Sequence, residues 1–391
     1  MKISHLLFLM FLCCIWTGCQ KKSNTITITG QLEGVEDSTI ITLGKIENNM
    51  FTDLATDTVI DGKFKITVVD SSNQTKPLTL FARGEGFPPT WLELWAGSGD
   101  NIQIIGKDKM LRTWMVESNN LLQREWNTYN DQTRGYVHQT QLIMTEAYAQ
   151  FDSMRTFPDR TQKFRSRVDS LYAINDSLNN LMLKAEVDLL GEKKTYSDLW
   201  MKKLDTYSMQ LRYKPVPDGY TEKMRALYDS MPEEQKKSET GESIHLSLNL
   251  PKVVDVGDDM ADADMWDLDG NLQRLENFKG KYILLDFWSS GCGPCIMSMP
   301  EMKEVSETYK DKLTVVSISS DSKEVWTQIS KEKNITWVNL NDFKGENGIK
   351  LQYGVKGIPH YVMIGPDGKV ATSWMGYGEG YLKQKVAEAI K

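Results

Sequence analysis

Cysteine is scarce in this chain, with five residues among 391, and their positions restrict what they can do. Three of them, Cys13, Cys14 and Cys19, fall near the N-terminus, so only Cys292 and Cys295 remain in the rest of the chain. A structural zinc site needs further Cys or His residues at ligand spacing. The His residues beyond the N-terminus are far apart in sequence. The sequence therefore argues against a zinc site and leaves one cysteine pair.

Runs of positive charge and long apolar runs are also missing. The formal net charge is −7, and no basic patch is offered to phosphates, which argues against a nucleic-acid partner. Beyond the N-terminal segment, no apolar run is long enough to span a bilayer. A length of 391 residues exceeds one ordinary hydrophobic core, so we expect two or three domains.

The N-terminus has the pattern of an export signal. Lys2 and His5 precede the apolar run Leu6–Trp16, and small residues follow before Cys19. An ordinary cleaved signal peptide and a short membrane anchor are the alternatives. Residues 17–19 resemble the end of a bacterial lipobox, although Trp16 departs from the usual aliphatic residue. This resemblance implies a lipoprotein signal peptide over 1–18 and a lipid on Cys19.

Residues 25–110 alternate with period two, as half-buried strands do. Thr25–Gly30 is one such run, and a turn at 61–63 separates Thr56–Ile60 from Phe64–Val69 as in a hairpin. We predict an all-β domain here, a small β-sandwich or barrel.

Four residues of this region, Pro88, Pro89, Trp91 and Trp95, could line a ligand surface. Alternating aromatic residues in a strand belong more often to the core. We therefore predict core positions for both tryptophans.

Residues 119–243 are polar and helical in pattern, with few Gly or Pro. No catalytic constellation is present in this region. A spacer or cap packed against the other domains is the favoured interpretation, and a role in substrate recognition is the alternative. Ser238–Gly241 is predicted to end the last helix.

A third domain is predicted over 252–391, organised around one strand and the helix after it. Tyr282–Trp288 is an apolar run interrupted only by Asp286, which indicates a buried strand. A short turn follows, and Cys292–Cys295 opens a segment with helical spacing. The start of a helix favours negative charge, and therefore the thiolate form of Cys292.

The Cys-Gly-Pro-Cys pair has several possible roles. Haem attachment would need His directly after the second Cys, but Ile296 stands there. With zinc disfavoured as well, a redox-active pair or an inert structural disulfide remains. The strand before the pair and the helix after it favour redox chemistry.

Three motifs together resemble the thioredoxin superfamily: Asp286–Trp288, Cys292–Cys295 and Gly357–Pro359. The closer resemblance is to the TlpA- and ResA-like thiol-disulfide oxidoreductases of bacterial envelopes, and it covers about the last third of the chain. It implies a multidomain protein with an N-terminal β-sandwich, a central α-helical insert and a C-terminal α/β thioredoxin-like fold. The β-rich region likewise resembles the all-β module of unknown role that precedes such domains.

The resemblance assigns roles to the motif residues. Cys292 is expected to attack a substrate disulfide, and Cys295 to resolve the mixed disulfide. Asp286 is expected to take the proton of Cys295 through a water, the alternative being a hydrogen-bonded structural Asp. In thioredoxins a Lys on the next strand faces this Asp. Here Ser317 and Ser319 occupy that strand, so no such partner is evident.

Substrate binding is expected beside the dithiol. Pro359 resembles the cis-proline that faces the disulfide in this superfamily, and it would expose the backbone of Ile358 for strand-like pairing. Trp288 is predicted to bind substrate with them. Gly291 replaces the usual aromatic residue before the first Cys and should leave the site open. His360 is expected to be a bystander.

Two functions from different classes remain. The first is a membrane-anchored, periplasmic oxidoreductase that reduces or isomerises protein disulfides. It would need no cofactor beyond the redox-active disulfide of Cys292 and Cys295. A membrane-embedded electron donor would return electrons to this cysteine pair. The second is a binding or scaffold lipoprotein with an inactive thioredoxin-like platform. The intact motifs favour the first.

Overall fold

The computed structural model describes residues 24–47, 50–72, 74–156 and 161–390. The predicted signal at 1–18 and the predicted lipid site Cys19 lie outside these residues. Within them, a sheet-rich region, a helical region and a mixed α/β region follow one another along the chain. None of the helices described is both long enough and apolar enough to cross a membrane.

Eight strands build the sheet-rich region. They are β1 Thr25–Leu32, β2 Ile40–Glu47, β3 Met50–Thr58, β4 Lys63–Val69, β5 Lys76–Arg83, β6 Leu92–Ala96, β7 Asn101–Gly106 and β8 Met115–Ser118. One sheet has the order β4-β1-β7-β8, with β1 and β7 parallel, and the other has the order β3-β2-β5-β6. Because side chains alternate along a strand, one apolar face of each sheet contributes to a shared core that includes Ile28 and Ile41.

The structure corrects three expectations for this region. The predicted hairpin around residues 61–63 is wrong, because β3 and β4 belong to different sheets; an isolated bridge pairs Ile60 with Lys63 across the turn. The sheet extends past residue 110, since β8 pairs with β7. Trp95 is buried, but Trp91 is 44% exposed and is not a core residue.

Six helices build the central region. They are α1 Leu121–Thr156, α2 Thr161–Lys193, α3 Asp198–Met209, α4 Tyr220–Asp229, α5 Glu233–Lys236 and α6 Glu239–Leu248. The two long helices α1 and α2 pack along one another. A second core, which includes Leu190 and Trp200, is formed by the helices together with Trp95 of β6.

Ser238 begins a helix rather than ending one. Its hydroxyl accepts a hydrogen bond from the Gly241 N–H at 3.1 Å and so caps the N-terminus of α6. A side chain at Gly241 would meet the backbone oxygen of Gln235 at 2.1 Å, so this glycine permits close packing of α6 on α5. The Ser238–Gly241 pattern marks a helix boundary in the sequence. Only the structure shows that a helix begins there rather than ends.

The mixed region adds seven strands and four helices. They are β9 Met265–Trp266, β10 Leu272–Gln273, β11 Tyr282–Trp288, α7 Gly293–Thr308, β12 Leu313–Ser319, α8 Lys323–Glu332, β13 Val338–Leu340, α9 Ile349–Gln352, β14 His360–Ile364, β15 Val370–Met375 and α10 Tyr381–Ala389. Five strands form a sheet of order β13-β12-β11-β14-β15. The first three run parallel, and β14 and β15 are antiparallel to their neighbours.

The central strand β11 is buried on both faces of this sheet. Ile283, Leu285 and Phe287 contribute to a core on one face. Leu284 contributes to another core with apolar side chains of α7 and α10. Because the sheet is covered on both faces at its central strand, β11 is nearly continuously apolar.

Arg212 joins the helical region to the mixed region. Its guanidinium donates to Ser247 Oγ at 2.9 Å within the helical region. It also donates to the Glu346 carbonyl oxygen at 2.9 Å and to Asn347 Oδ1 at 2.6 Å in the mixed region. These bonds fix the position of α6 beside the mixed sheet.

Candidate active site

The cysteine pair lies where β11 passes into α7. Cys292 is the N-cap of α7, and its sulfur accepts a hydrogen bond from the Cys295 N–H at 3.2 Å. Pro294 stands in the first turn, where a missing N–H is tolerated. The free N–H groups and the dipole of a helix N-terminus stabilise negative charge on Cys292.

The two cysteines are joined in a disulfide and differ in exposure. Cys295 is 1% exposed and belongs to an apolar cluster with Met299 and Trp326. Cys292 is half-buried and lies at the edge of that cluster. A substrate disulfide can therefore approach Cys292 but not Cys295.

Asp286 is a carboxyl group inside the apolar strand β11, with 4% of its surface exposed. Burial raises the pKa of Asp286 to about 7, because the charged form is poorly solvated there. The hydrogen bond from Ser317 opposes this rise. Asp286 Oδ1 has no hydrogen-bond partner in the described part of the chain. The group can therefore exchange a proton near neutral pH.

Ser317 and Trp337 form a chain of donors behind Asp286. Ser317 lies directly opposite Asp286 in the β11–β12 pair, and its hydroxyl donates to Asp286 Oδ2 at 2.8 Å. The Trp337 indole N–H donates to Ser317 Oγ at 2.8 Å. As the sequence indicated, no lysine of this strand faces Asp286 in the described structure; the neutral hydroxyl of Ser317 takes its place. The pairing of Ser317 with Asp286 follows from the register of the two strands. The contact of Trp337 with Ser317 depends on the tertiary structure.

The Ile358–Pro359 peptide bond is cis, as the resemblance implied. Ile358 packs at the edge of the apolar cluster that contains Cys295, so the cis-proline loop lies beside the dithiol. Among the described residues, no backbone hydrogen bond is made by Ile358, whereas the carbonyl oxygen of Pro359 accepts from Gly376 N–H at 2.8 Å. The backbone edge at Ile358 is thus free for pairing.

His360 and Met375 lie beside this loop. Burial lowers the pKa of His360, so its neutral form predominates at pH 7. Its Nε2 contacts Ser373 Oγ at 2.8 Å. Met375 is 61% exposed, and its sulfur would lie 2.8 Å from a Cβ added at Gly357. Met375 gives the loop an exposed apolar rim that sequence reasoning missed.

Asp321 holds the turn before the cysteine pair. It is 5% exposed and accepts from the Ser290 N–H at 2.8 Å and from the Ser290 hydroxyl at 3.1 Å. Gly291 has open space where a side chain would begin, with no atom within 4 Å of an added Cβ. The turn is therefore fixed at Ser290 and open at Gly291.

Trp288 does not face a substrate. Its side chain is 1% exposed and packs in the cluster around Cys295. The prediction of direct substrate contact is wrong for this residue, because the strand ends beneath the cysteine pair rather than beside it. Trp288 instead shields the buried sulfur from water.

In the ranges that the structure describes, no group of three or more His, Cys, Asp or Glu is arranged to hold a metal ion. The chemistry of the site thus rests on the cysteine pair and the nearby carboxyl group. Thiol-disulfide oxidoreductases of the thioredoxin type use redox-active cysteines without an external cofactor.

A helix that begins with a cysteine pair after a central strand, next to a cis-proline, defines a thioredoxin-like domain with a redox dithiol. The Redoxin family model matches residues 255–390. The chain is 31% identical over 140 residues to thiol-disulfide oxidoreductase ResA of Bacillus thuringiensis subsp. konkukian, which covers 35% of this chain and 78% of that protein. The chain belongs to the ResA-like thiol-disulfide oxidoreductases.

Two further proteins are similar to an equal share of the chain. Thioredoxin-like protein YneN of Bacillus subtilis is 28% identical over 142 residues, which covers 35% of this chain and 82% of that protein. The thioredoxin domain of a thiol-disulfide oxidoreductase from Bacteroides vulgatus has a TM-score of 0.33 and 27% identity, and the match covers 35% of this chain and 99% of that domain.

Proposed function

We propose that this chain is an exported, lipid-anchored enzyme that reduces or isomerises protein disulfides with the Cys292–Cys295 dithiol. The unequal exposure of the two sulfurs carries the proposal. Cys292 is half-buried at a helix N-terminus, whereas Cys295 is 1% exposed behind it. One sulfur can meet a protein substrate, and the other can act only on the first.

The reaction starts from the reduced pair. The Cys292 thiolate attacks a substrate disulfide, forms a mixed disulfide and releases one substrate sulfur as a thiolate. Cys295 then loses its proton and attacks Cys292 Sγ. This step releases the second substrate thiol and leaves the Cys292–Cys295 disulfide. Two electrons have passed from the enzyme to the substrate.

Asp286 supports the second step as its base. A buried carboxyl group with a pKa of about 7 is partly ionised at neutral pH and can take the proton of Cys295 through a water. The alternative is a purely structural Asp held by Ser317. The unpartnered Asp286 Oδ1 supports the catalytic role, because a structural carboxylate would have both oxygens satisfied.

Substrate proteins pair with the cis-proline loop. Ile358 has a free backbone edge, and Pro359 holds that edge beside the dithiol. Exposed Met375 adds an adaptable apolar contact, which suits a surface that accepts different sequences. The open space at Gly291 widens the approach.

The other regions serve location and recognition in this proposal. Residues 1–18 direct export to the cell envelope, and a lipid on Cys19 anchors the chain to a membrane, facing the periplasm. The eight-stranded region is a β-sandwich domain, the helical region follows it, and residues 252–391 form the thioredoxin-like domain. A reducing cycle leaves an oxidised pair, so a membrane-embedded electron donor must return two electrons.

Trapping of the mixed disulfide tests the proposal. A Cys295→Ser variant of the full chain cannot resolve the intermediate, so we expect envelope proteins bound to Cys292 on non-reducing gels, released by dithiothreitol. Cys292→Ser is the matched control and should trap nothing, because Cys295 is buried. Empty gels for both variants in envelope extracts would contradict the proposal and favour the scaffold function instead.

A further inference from the structure

A cavity of about 280 Å³ lies between the sheet-rich region and α1, away from the dithiol. Its walls include Trp91 just before β6, Trp114 before β8, and Trp126 and Asn130 of α1. Arg112 also lines it. None of the lining residues belongs to the thioredoxin-like region. Boundaries between structural units are common places for ligand sites.

Arg112 brings an unpaired charge to this cavity. Across the described ranges, its guanidinium makes no hydrogen bond and no ion pair; only its backbone N–H bonds, to Gln141 Oε1 at 3.0 Å. The Arg112 side chain is accessible to water, yet the surrounding protein lowers its pKa by desolvation. Both observations describe a guanidinium inside a concave pocket. Because the guanidinium is accessible and has no hydrogen-bond partner among the described residues, it can bind an anion from solution.

Glu186 and Glu93 attract the Arg112 guanidinium, but both are already paired with lysines; Glu93 also lines the cavity. Glu93 accepts from Lys202 Nζ at 2.6 Å. Glu186 accepts from Lys203 Nζ at 2.7 Å, and both of these side chains are buried. Each of these carboxylates already balances one lysine, so Arg112 brings one positive charge in excess of these pairs. The site therefore favours an anion from solution.

We infer that this cavity binds a small carboxylic acid with an aromatic or apolar body. A guanidinium fork matches a carboxylate with two parallel hydrogen bonds. In the described structure the side-chain amide of Asn130 makes no hydrogen bond, and it offers a further donor. The tryptophan walls suit an apolar or aromatic body. A volume of about 280 Å³ is near the lower end of ligand pockets, which are roughly 300–1,000 Å³, and so limits the ligand to about the size of an amino acid.

A single free cation favours a monoanionic carboxylate over a phosphate dianion. Arg134 also lines the cavity, but its guanidinium donates to the Thr113 carbonyl oxygen at 2.6 Å and pairs with Asp131. A phosphate would need a second cation to balance its charge. The carboxylate belongs either to a free acid or to the C-terminal residue of a peptide, because both present the same group.

Calorimetric titration of the full chain with phenylacetate tests the inference. We expect saturable binding of phenylacetate and binding at least about tenfold weaker for phenylacetamide, which has the same size without the charge; that factor corresponds to about 1.4 kcal/mol. This comparison needs no substitution. Equal binding of the two probes, no binding of either at millimolar concentration, or tighter binding of inorganic phosphate would overturn the inference.

Variants locate the site. Arg112→Gln should weaken phenylacetate binding about tenfold or more, and Arg112→Lys should restore part of it, because the charge returns without the fork. Arg124→Gln is the matched control, since Arg124 is exposed on helix α1 beside the cavity wall and does not line the cavity. Unchanged binding by Arg112→Gln would overturn the assignment. An acetylated peptide that ends in Phe would bind tighter than phenylacetate if the source is a peptide terminus, and weaker if it is a free acid.

Discussion

Ser317 donates its hydroxyl hydrogen to the Asp286 carboxylate across the β11–β12 pair, with 2.8 Å between the two oxygens. This is the one side-chain hydrogen bond that lowers the pKa of Asp286, while burial raises it to about 7. Because Trp337 donates to Ser317 in turn, the serine hydroxyl is oriented toward Asp286. The proton affinity of the proposed base is therefore set by neutral groups rather than by a lysine.

Removing the Ser317 hydroxyl should raise the pKa of Asp286 further. A hydrogen bond to a charged group contributes roughly 1.5–3 kcal/mol, so we expect Ser317→Ala to raise this pKa by about 1 to 2. The carboxylate would then be scarcer at pH 7, and resolution of the mixed disulfide would slow at that pH and recover at higher pH. The pH profile of the single-turnover resolution rate measures this effect.

Ser319→Ala is the matched control for that substitution. Ser319 lies on the same strand, but its hydroxyl donates to Asp321 at 3.1 Å rather than to Asp286. Its pH profile should keep the wild-type midpoint. Trp337→Phe should shift the midpoint in the same direction as Ser317→Ala, by less. Identical midpoints in all four proteins would rule out control of Asp286 by Ser317.

The buried Asp286 should also destabilise the oxidised protein at high pH. The pKa of Asp286 is about 7 in the folded protein against an ordinary value of 3.8, so the unfolded chain loses its proton first as the pH rises. Stability should therefore fall between about pH 4 and pH 7 and stay low above pH 7. A pKa difference of about 3 corresponds to roughly 4 kcal/mol as an upper magnitude.

Asp286→Asn should abolish this pH dependence. Above pH 7 the oxidised variant should be more stable than the wild type, and the two should converge near pH 4. Hydrogen exchange of the β11 amides at several pH values measures the difference. Asp311→Asn, at an exposed position of the same domain, should leave exchange unchanged. A wild-type advantage at pH 8 would show that Asp286 is a stabilising structural residue.

The Arg212 link should couple the helical region to the thioredoxin-like domain. Arg212→Ala removes the hydrogen bonds to Glu346 and Asn347 and leaves their oxygens unpaired. We therefore expect the free energy of unfolding to fall by about 3 kcal/mol. We also expect faster proteolysis at residues 249–257, which connect the two regions. Thermal unfolding and limited proteolysis measure both effects. Arg225→Ala is the control, because Arg225 donates to the Leu248 carbonyl oxygen at 2.7 Å within the helical region. Equal protease sensitivity of the two variants would exclude the coupling.

The reduction potential of the Cys292–Cys295 couple should decide the direction of the reaction. The Gly293-Pro294 dipeptide is that of thioredoxin, whose potential is about −270 mV, so we expect about −250 mV or lower in glutathione or dithiothreitol buffers. A value near −120 mV, as for a strong oxidant, would reverse the proposed direction. Failure of the pair to titrate would contradict redox chemistry altogether.

Local sequence determined the position of the dithiol. The run Tyr282–Trp288, the turn after it and Cys292 at the start of a helix follow from periodicity and from glycine and proline positions, and the structure has them where the pattern placed them. Asp286 stood out because it is the one charged residue in that run. These features depend on neighbours in sequence, which is why the sequence alone was sufficient to predict them.

Tertiary packing decided the surroundings of the site. Trp337 reaches Ser317 only because β12 pairs with β11 and the segment before β13 packs over β12. Trp288 is buried because α7 and α8 close over the end of the strand. The pattern of apolar residues shows that a residue is in a core, but it does not show which neighbour the residue meets.

The sequence by itself determined the three-part order of the chain, the buried central strand and the cysteine pair, because periodicity and turn residues act locally. The tertiary structure alone decided that β3 and β4 separate into different sheets, that Arg212 links two regions and that Arg112 lines a cavity. These contacts join residues far apart in sequence. Their energies depend on burial and on charge partners, which no local pattern records.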